Sequence, residues 1–318
     1  MRLQAVLALA TLGCGPGETR GDPASEPPLA VASSSASLPP ADAESSVPSA
    51  TASSAATTAQ PSADAPRADA RRGVFLWEFG KRGPSAERSA ELVAATGARR
   101  VFIKGTNGRA SARWEGNASP ANLAPFATRG LEIWLFGYFY ASPDADGIEW
   151  GTIDEQIRAM VKVADRPEVF GVLVDAEVEF KGKAAEAEAL CRGLRAALPS
   201  KQLAYTTFGW LSPNKTFPYS TFDRYCGDAF LPQVYWAFGW PGGVRASLDR
   251  LRKDVAHLGL RAPVWPVQSN ERDPAAADLE LFFQLAGPDA SVFYLHAEGT
   301  PQTEKLTRIS LGAGPLDR

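Results

Sequence analysis

From Gly73 onward, short apolar runs alternate with helix-like stretches, and this alternation constrains the fold more than any other feature of the chain. Such a pattern belongs to a parallel sheet covered by helices. The runs are Gly73-Val74-Phe75-Leu76-Trp77-Glu78-Phe79, Arg100-Val101-Phe102-Ile103-Lys104, Leu131-Glu132-Ile133-Trp134-Leu135-Phe136-Gly137-Tyr138 and Val169-Phe170-Gly171-Val172-Leu173-Val174-Asp175. Four more follow: Gln202-Leu203-Ala204-Tyr205-Thr206-Thr207, Ala229-Phe230-Leu231-Pro232-Gln233-Val234-Tyr235-Trp236, Pro263-Val264-Trp265-Pro266-Val267-Gln268 and Ser291-Val292-Phe293-Tyr294-Leu295-His296. Between them the text reads as helix. Residues 85–96 stop at Gly97. Thr152-Ile153-Asp154-Glu155 forms a capping box. Residues 184–197 make a further helix, and Val244, Leu248, Leu251, Val255 and Leu258 share one face of another that stops at Gly259. Asp273 is placed to cap a last helix with Pro274 at its first position. Eight strands with intervening helices or long loops predict an α/β fold, a (β/α)8 TIM-type barrel over residues 73–318, rather than an open doubly wound sheet. The length available, about 245 residues, is the usual size for one such barrel.

The chain ahead of Gly73 is different in kind. Although 45% of all residues are hydrophobic, residues 15–72 hold almost no large apolar side chain. A segment of Ala, Ser, Pro, Thr and Asp cannot bury enough surface to offset the entropy of ordering it, so a disordered tether is expected. Arg2, the apolar stretch from Leu3 to Leu12 and the small Gly13 describe a secretory signal over residues 1–14. The stretch is well short of the ~20 residues a membrane-spanning helix needs. Gly13-Cys14 resembles the lipobox of bacterial lipoproteins, with Thr11 where an aliphatic residue is usual. That resemblance implies a diacylated Cys14 and a membrane-anchored protein of the cell envelope. A plain cleaved signal peptide or a misassigned start are the other readings.

Several function classes lose support from composition. A net charge of −3 gives no basic field for nucleic acid. The two histidines, His257 and His296, are far apart, so neither a multi-histidine metal site nor a metal-dependent deacetylase is expected. No glycine-rich phosphate loop follows any strand, and no Gly-x-Ser-x-Gly elbow is present. No cofactor is implied, and a monomer is expected. Cys191 and Cys226 are either a disulfide between neighbouring helices, in an oxidising compartment, or two buried thiols.

In a barrel of this kind the site lies at the C-terminal ends of the strands. The fourth strand runs into Asp175-Ala176-Glu177-Val178-Glu179. Alternation along an extended strand points the three carboxylates one way, with i and i+2 Cα atoms roughly 6.6 Å apart. Grouped carboxylates repel when ionised, which raises at least one pKa. A protonated carboxyl beside an ionised one is the pair that glycosidic cleavage needs. The opposing reading is a solvated acidic loop continuing into Phe180-Lys181-Gly182-Lys183. Glu177 is the better acid candidate, because Glu179 lies nearer those lysines. Trp77, Tyr138, Tyr140, Tyr205, Trp210, Tyr235, Trp236 and Trp240 sit near strand ends, either as platforms for sugar rings or as core. Gln233 and Gln268 are candidates to bond hydroxyl or amide groups, and Glu78, Lys104, His296 and Glu298 also stand at strand ends. His296 reads either as a ligand or as a satisfied histidine capping the barrel.

Gly73-Val74-Phe75-Leu76-Trp77-Glu78, Val101-Phe102-Ile103-Lys104-Gly105-Thr106, the acidic motif of strand four and Pro232-Gln233-Val234-Tyr235-Trp236 together resemble the family 25 glycoside hydrolases, lysozyme-like muramidases, or a related glycosidase-like barrel. The resemblance implies that Glu177 is the acid and Asp175 the residue that positions an N-acetyl group or stabilises the charged intermediate, with Glu179 secondary. It departs from the family where a first-strand aspartate is usual, since Phe75, Leu76 and Trp77 stand there with Glu78 just beyond; second-strand aspartates are not evident either. The function expected is therefore a glycoside hydrolase acting on an N-acetylated polysaccharide, peptidoglycan foremost. The alternative is a catalytically silent barrel that binds envelope glycan or a protein partner.

Overall fold

The computed structural model describes residues 71–80, 84–145, 148–269 and 272–294. The signal segment with Cys14, nearly all of the tether, His296 and Glu298 lie outside the described residues. Eight parallel strands close into a barrel: β1 (Gly73–Leu76), β2 (Arg100–Asn107), β3 (Glu132–Tyr138), β4 (Val169–Asp175), β5 (Gln202–Phe208), β6 (Phe230–Gln233), β7 (Val267–Ser269) and β8 (Ser291–Tyr294). Each pairs with its sequence neighbours, and β8 returns to β1 through Val74↔Val292 and Phe75↔Phe293. The helices are α1 (Ala86–Ala95), α2 (Ala112–Asn117), α3 (Pro120–Ala127), α4 (Ile153–Ala164), α5 (Ala184–Ala197), α6 (Tyr219–Tyr225), α7 (Gly243–Leu258) and α8 (Ala276–Leu285).

Strand alternation divides the core in two. Val74, Leu76, Val101, Ile103, Ile133, Leu135, Val172, Val174, Leu203, Tyr205, Phe230 and Val292 face outward and meet the helices. Phe75, Phe102, Trp134, Phe136, Leu173, Ala204, Ala229, Leu231 and Val267 fill the barrel itself. The filling is lopsided, with rings from β8 and β1 to β3 and small or aliphatic residues from β4 to β7. Gly171 makes this possible, because a Cβ there would sit 2.6 Å from the Trp134 indole.

Local signals explain the helix limits. Ser85 accepts a hydrogen bond from the Arg88 N–H to open α1, and the Thr152–Glu155 capping box opens α4 with both reciprocal bonds formed. The last helix departs from expectation. Asp273 adopts φ 48° and does not cap it; α8 starts at Ala276 with Ala275 as N-cap. On α7, Val244, Leu248 and Leu251 are buried as expected, whereas Leu258 is 40% exposed at the end of the helix. Cys191 on α5 is disulfide-bonded to Cys226 at the end of α6, with Cα atoms 5.4 Å apart. The disulfide reading of the two cysteines is the one that the fold carries.

Candidate active site

The carboxylates of the fourth strand meet at the C-terminal mouth of the barrel, by a route that simple alternation does not supply. Strand β4 ends at Asp175. The Ala176 N–H still donates to the Thr206 carbonyl (3.1 Å), and the chain then turns into a short 3-10 helix over Val178–Phe180. Phe180 drives that turn: it is fully buried and packs edge-on against Phe222, 5.4 Å between ring centres. Glu179 is thus delivered by the turn rather than by an extended strand, and it accepts a 2.7 Å hydrogen bond from the Tyr138 hydroxyl.

Gln233, at the end of β6, ties the other two together. Its side-chain Nε2 donates to Glu177 Oε1 (3.0 Å) and to Asp175 Oδ1 (3.3 Å). One amide nitrogen reaching both oxygens fixes the pair side by side. Asp175 is 8% exposed, while Glu177 is only partly buried and stands toward the opening. Burial pushes the Glu177 carboxyl up to about 7, with Glu179 adding to the rise while the Gln233 amide and the Lys104 charge oppose it. Asp175 is also pushed well above the carboxylate range, by burial first and then by Glu177. Both carboxyls therefore hold a proton more readily than free ones, and as coupled groups they titrate as a pair.

Trp77 and Tyr235 are partly buried and pack against the barrel filling. Tyr235 packs at a tilt against Phe238, 5.5 Å between ring centres. Tyr138 is 4% exposed, and the face of Tyr140 is covered by Trp150, 4.0 Å away and nearly parallel. Lys104 is fully buried: its ammonium donates to Asn107 Oδ1 at 2.9 Å and lies 3.8 Å from the Trp77 ring centre. It therefore offers no surface to a ligand.

Other expected site residues lie elsewhere. Tyr205 points outward and stacks between Phe222 and Phe230, at 5.7 and 4.6 Å, in the layer beneath the helices. Trp236 follows the end of β6 in a 3-10 turn and packs on Phe282 of α8 at 5.1 Å. Gln268 is fully buried beside outward-facing Val292, its Nε2 donating to the Ser269 carbonyl. Glu78 is gripped by the Arg113 guanidinium through two bonds of 3.0 and 2.8 Å.

Two positions that sequence reasoning passed over build the mouth. Asn117 on α2 donates to the Lys104 and Trp77 carbonyls (2.7 and 3.1 Å) and accepts from the Phe79 N–H (3.0 Å), clamping β1 to β2. Gln156 on α4 is fully buried and holds the loop after β3 through Tyr140 and the Gly151 carbonyl. Both are polar residues on short or amphipathic helices, where nothing in their spacing marks them. Among the described residues, no group of three or more His, Cys, Asp or Glu is arranged to hold a metal ion.

Fold and site together define a (β/α)8 barrel with an amide-bridged carboxylate pair at its C-terminal mouth. No family model matches the sequence, and no curated protein matches it either. Solved structures do. The spore cortex-lytic enzyme SleL of Bacillus cereus is similar with a TM-score of 0.52 and 12% identity, over 76% of each chain. Active domain 2 of the thermostable chitinase from Pyrococcus furiosus gives 0.52 and 10%, over 76% of this chain and 94% of that one. The catalytic domain of a family GH18 chitinase from the fern Peteris ryukyuensis gives 0.51 and 10%, over 75% and 98%. These structural neighbours are TIM-barrel glycoside hydrolases, and at such identities the likeness is one of fold.

Proposed function

We propose that the chain is an exported glycoside hydrolase that cleaves an N-acetylated polysaccharide by carboxylate acid catalysis, with peptidoglycan as the foremost substrate. The observation that carries this reading is the Asp175–Gln233–Glu177 bridge, with a glutamic acid that titrates at about 7 and stands toward the mouth. An acid poised near the working pH is the most effective proton donor. Glu177 gives its proton to the glycosidic oxygen as the bond to the anomeric carbon breaks. The carboxylate of Asp175, beneath it, stabilises the cationic carbon or positions an acetamido group. Water adds hydroxide to that carbon, and its remaining proton returns to the carboxylate pair.

Two further observations support the finer points. The neighbours include chitinases and a cortex-lytic enzyme, and chitin is an N-acetylated polymer. The Cys191–Cys226 disulfide supports export, because such bonds persist in oxidising compartments. With the signal-like start, the Gly13-Cys14 pair and the Ala/Ser/Pro-rich segment, this suggests a lipid-anchored protein of the cell envelope held on a tether.

The test is release of new reducing ends from purified peptidoglycan and from chitin oligomers. Glu177→Gln should lower release by roughly 10²–10⁴-fold, the usual contribution of a general acid. Binding of either glycan by the wild type, without release from either, would replace this reading with that of a silent binding barrel.

A further inference from the structure

The loop after β5 runs closer to the end of β6 than any side chain would allow. Phe208 is in register with Gln233, and Gly209 follows at once. A Cβ on Gly209 would collide with the Gln233 carbonyl oxygen, with the carbonyl carbon at 2.5 Å and the Val234 nitrogen at 2.7 Å. Backbone conformation does not call for glycine here, since the φ of Gly209 is not positive. Proximity does. Non-bonded carbons prefer about 3.5 Å or more, so a methyl group would drive the two backbones apart by on the order of 1 Å. The loop has little room to retreat. The Leu211 and Ser212 N–H groups donate to Asp254 Oδ2 on α7 (3.1 and 2.9 Å), the Asn214 amide donates to the Trp210 carbonyl (2.9 Å), and the Leu211 side chain is buried. What faces it is the last peptide of β6, where the Tyr235 N–H closes a tight turn on the Gln233 carbonyl (3.0 Å).

We propose that Gly209 is a positioning residue: the side chain it lacks leaves the space in which the Gln233 peptide lies, and so sets the Gln233 amide between Asp175 and Glu177. The effect on turnover rests on the glycosidase reading above; the effect on the bridge does not. The bridge has little slack. One nitrogen serves Glu177 at 3.0 Å and Asp175 at 3.3 Å, and a contact of about 3.6 Å is no longer a hydrogen bond. A shift on the order of 1 Å exceeds that margin. Rotating the side chain to restore one bond lengthens the other, because the two acceptors stand apart, at the end of β4 and in the residues that follow it. The longer bond, to Asp175, goes first, and Glu177 is then no longer held beside it. Glycine at this position thus acts on the acid through Gln233 and not by touching substrate.

The experiment compares the full chain with Gly209→Ala, Gln233→Ala, the two combined, and Gly227→Ala. The last is the control, because a Cβ there meets the Asp223 carbonyl, a backbone clash between α6 and the start of β6, at the other end of the barrel. Hydrogen exchange of the Gln233 side-chain amide is followed by ¹⁵N NMR, with Gln233→Ala assigning the signal, and turnover is measured on peptidoglycan and chitin oligomers. In Gly209→Ala the exchange should quicken about tenfold, the equivalent of one hydrogen bond. There kcat should fall by about tenfold to a hundredfold, as a misplacement of this size allows, with KM within about twofold. In the Gln233→Ala background, Gly209→Ala should change kcat by less than about twofold, since the bridge it acts through is gone. Gly227→Ala should keep the wild-type exchange and kcat per folded molecule. Unmoved exchange in Gly209→Ala overturns the proposal, as do losses that multiply in the combined variant or an equal change in Gly227→Ala. Quickened exchange in a protein that cleaves no glycan upholds it and sinks only the glycosidase reading. A Gly209→Ala chain that does not fold assigns the close approach to barrel closure and overturns the proposal, whatever Gly227→Ala does.

Discussion

One inward face of strand β2 carries a buried cation at each end, Arg100 at the floor of the barrel and Lys104 at the mouth, with Phe102 between them. At the floor, Arg100 is 3% exposed, bonded to Glu132 (3.0 Å) and Asp289 (2.8 Å), and laid on Trp265 at 3.8 Å. Arg71 takes the other oxygen of Glu132, so two acids meet two guanidinium groups. At the mouth, among the described residues, Asp175, Glu177 and Glu179 gather at the end of β4, and the neutral donors Gln233 and Tyr138 organise them. The same strand thus supports two kinds of buried charge. Paired charge at the N-terminal end fastens the barrel shut; the raised carboxyls at the C-terminal end compete for protons. Opposite ends of such barrels divide stability and chemistry in this way.

Breaking the floor should have the largest effect. Arg100→Met leaves Asp289 without this guanidinium and Glu132 with Arg71 alone; both acids keep some exposure, so the loss should sit at the lower end of the range for breaking a buried ion pair, about 3 kcal/mol. Denaturant unfolding at pH 7 measures it. Turnover per folded molecule should be unchanged, since Glu132, Asp289 and Trp265, the partners of Arg100 among the described residues, lie away from the mouth. A loss of less than about 1 kcal/mol, within the range of surface pairs, would erase the distinction between the two ends.

The two ends also differ in how far they were legible in the sequence. The eight strands were readable because apolar runs buried on both faces stand out between polar helices. The Thr152–Glu155 box followed from local chemistry alone, and α5 spans the residues that the sequence marked as helix. Which way a strand faces was less accessible. Period two offers Tyr205 and Gln268 either side, and only the register with β6 and with β8 turns them outward. Trp236 escaped because alternation ceases where β6 ends. The acidic cluster was visible as Asp175-x-Glu177-x-Glu179, but its bridge through Gln233 joins residues 56 and 58 positions apart, which local pattern cannot reveal. The depth of Lys104 was hidden too. Strand β2 runs on to Asn107, past the expected end, through an irregularity between Lys104 and Thr106.

At the mouth the comparison predicts the opposite sign. Glu177 has a folded pKa of about 7 against an ordinary 4.5, so the folded state holds its proton more tightly than the unfolded chain does. Stability from this group is fully present below the unfolded carboxyl range and is lost as pH rises through about 7. Glu177→Gln removes that loss. It should leave stability near pH 4 within a few tenths of a kcal/mol of wild type and raise it at pH 8 by on the order of 2 kcal/mol. Thermal melts of both proteins at the two pH values decide it. A variant less stable than wild type at pH 8 would show that the mouth, like the floor, is held together by its charges.

The smallest effect belongs to Tyr138→Phe, which separates the ring from its hydroxyl. The phenol is pushed well above its usual range by burial first, then by Glu177, Glu179 and Asp175, so it remains a neutral donor throughout the working pH range. Its loss leaves Glu179 without one donor at 2.7 Å and should cost about 1 kcal/mol, a typical net value for one hydrogen bond. The ring that faces Lys104 at 5.8 Å is kept, so the ammonium should stay caged and the pair's titration should hold within half a unit or so. Melts together with the carboxyl titration read both quantities. A large upward shift of the pair in this variant would mean that the tyrosine hydroxyl and Glu179 set the charge at the mouth, and the contrast between the two cations of β2 would then rest on Arg100 alone.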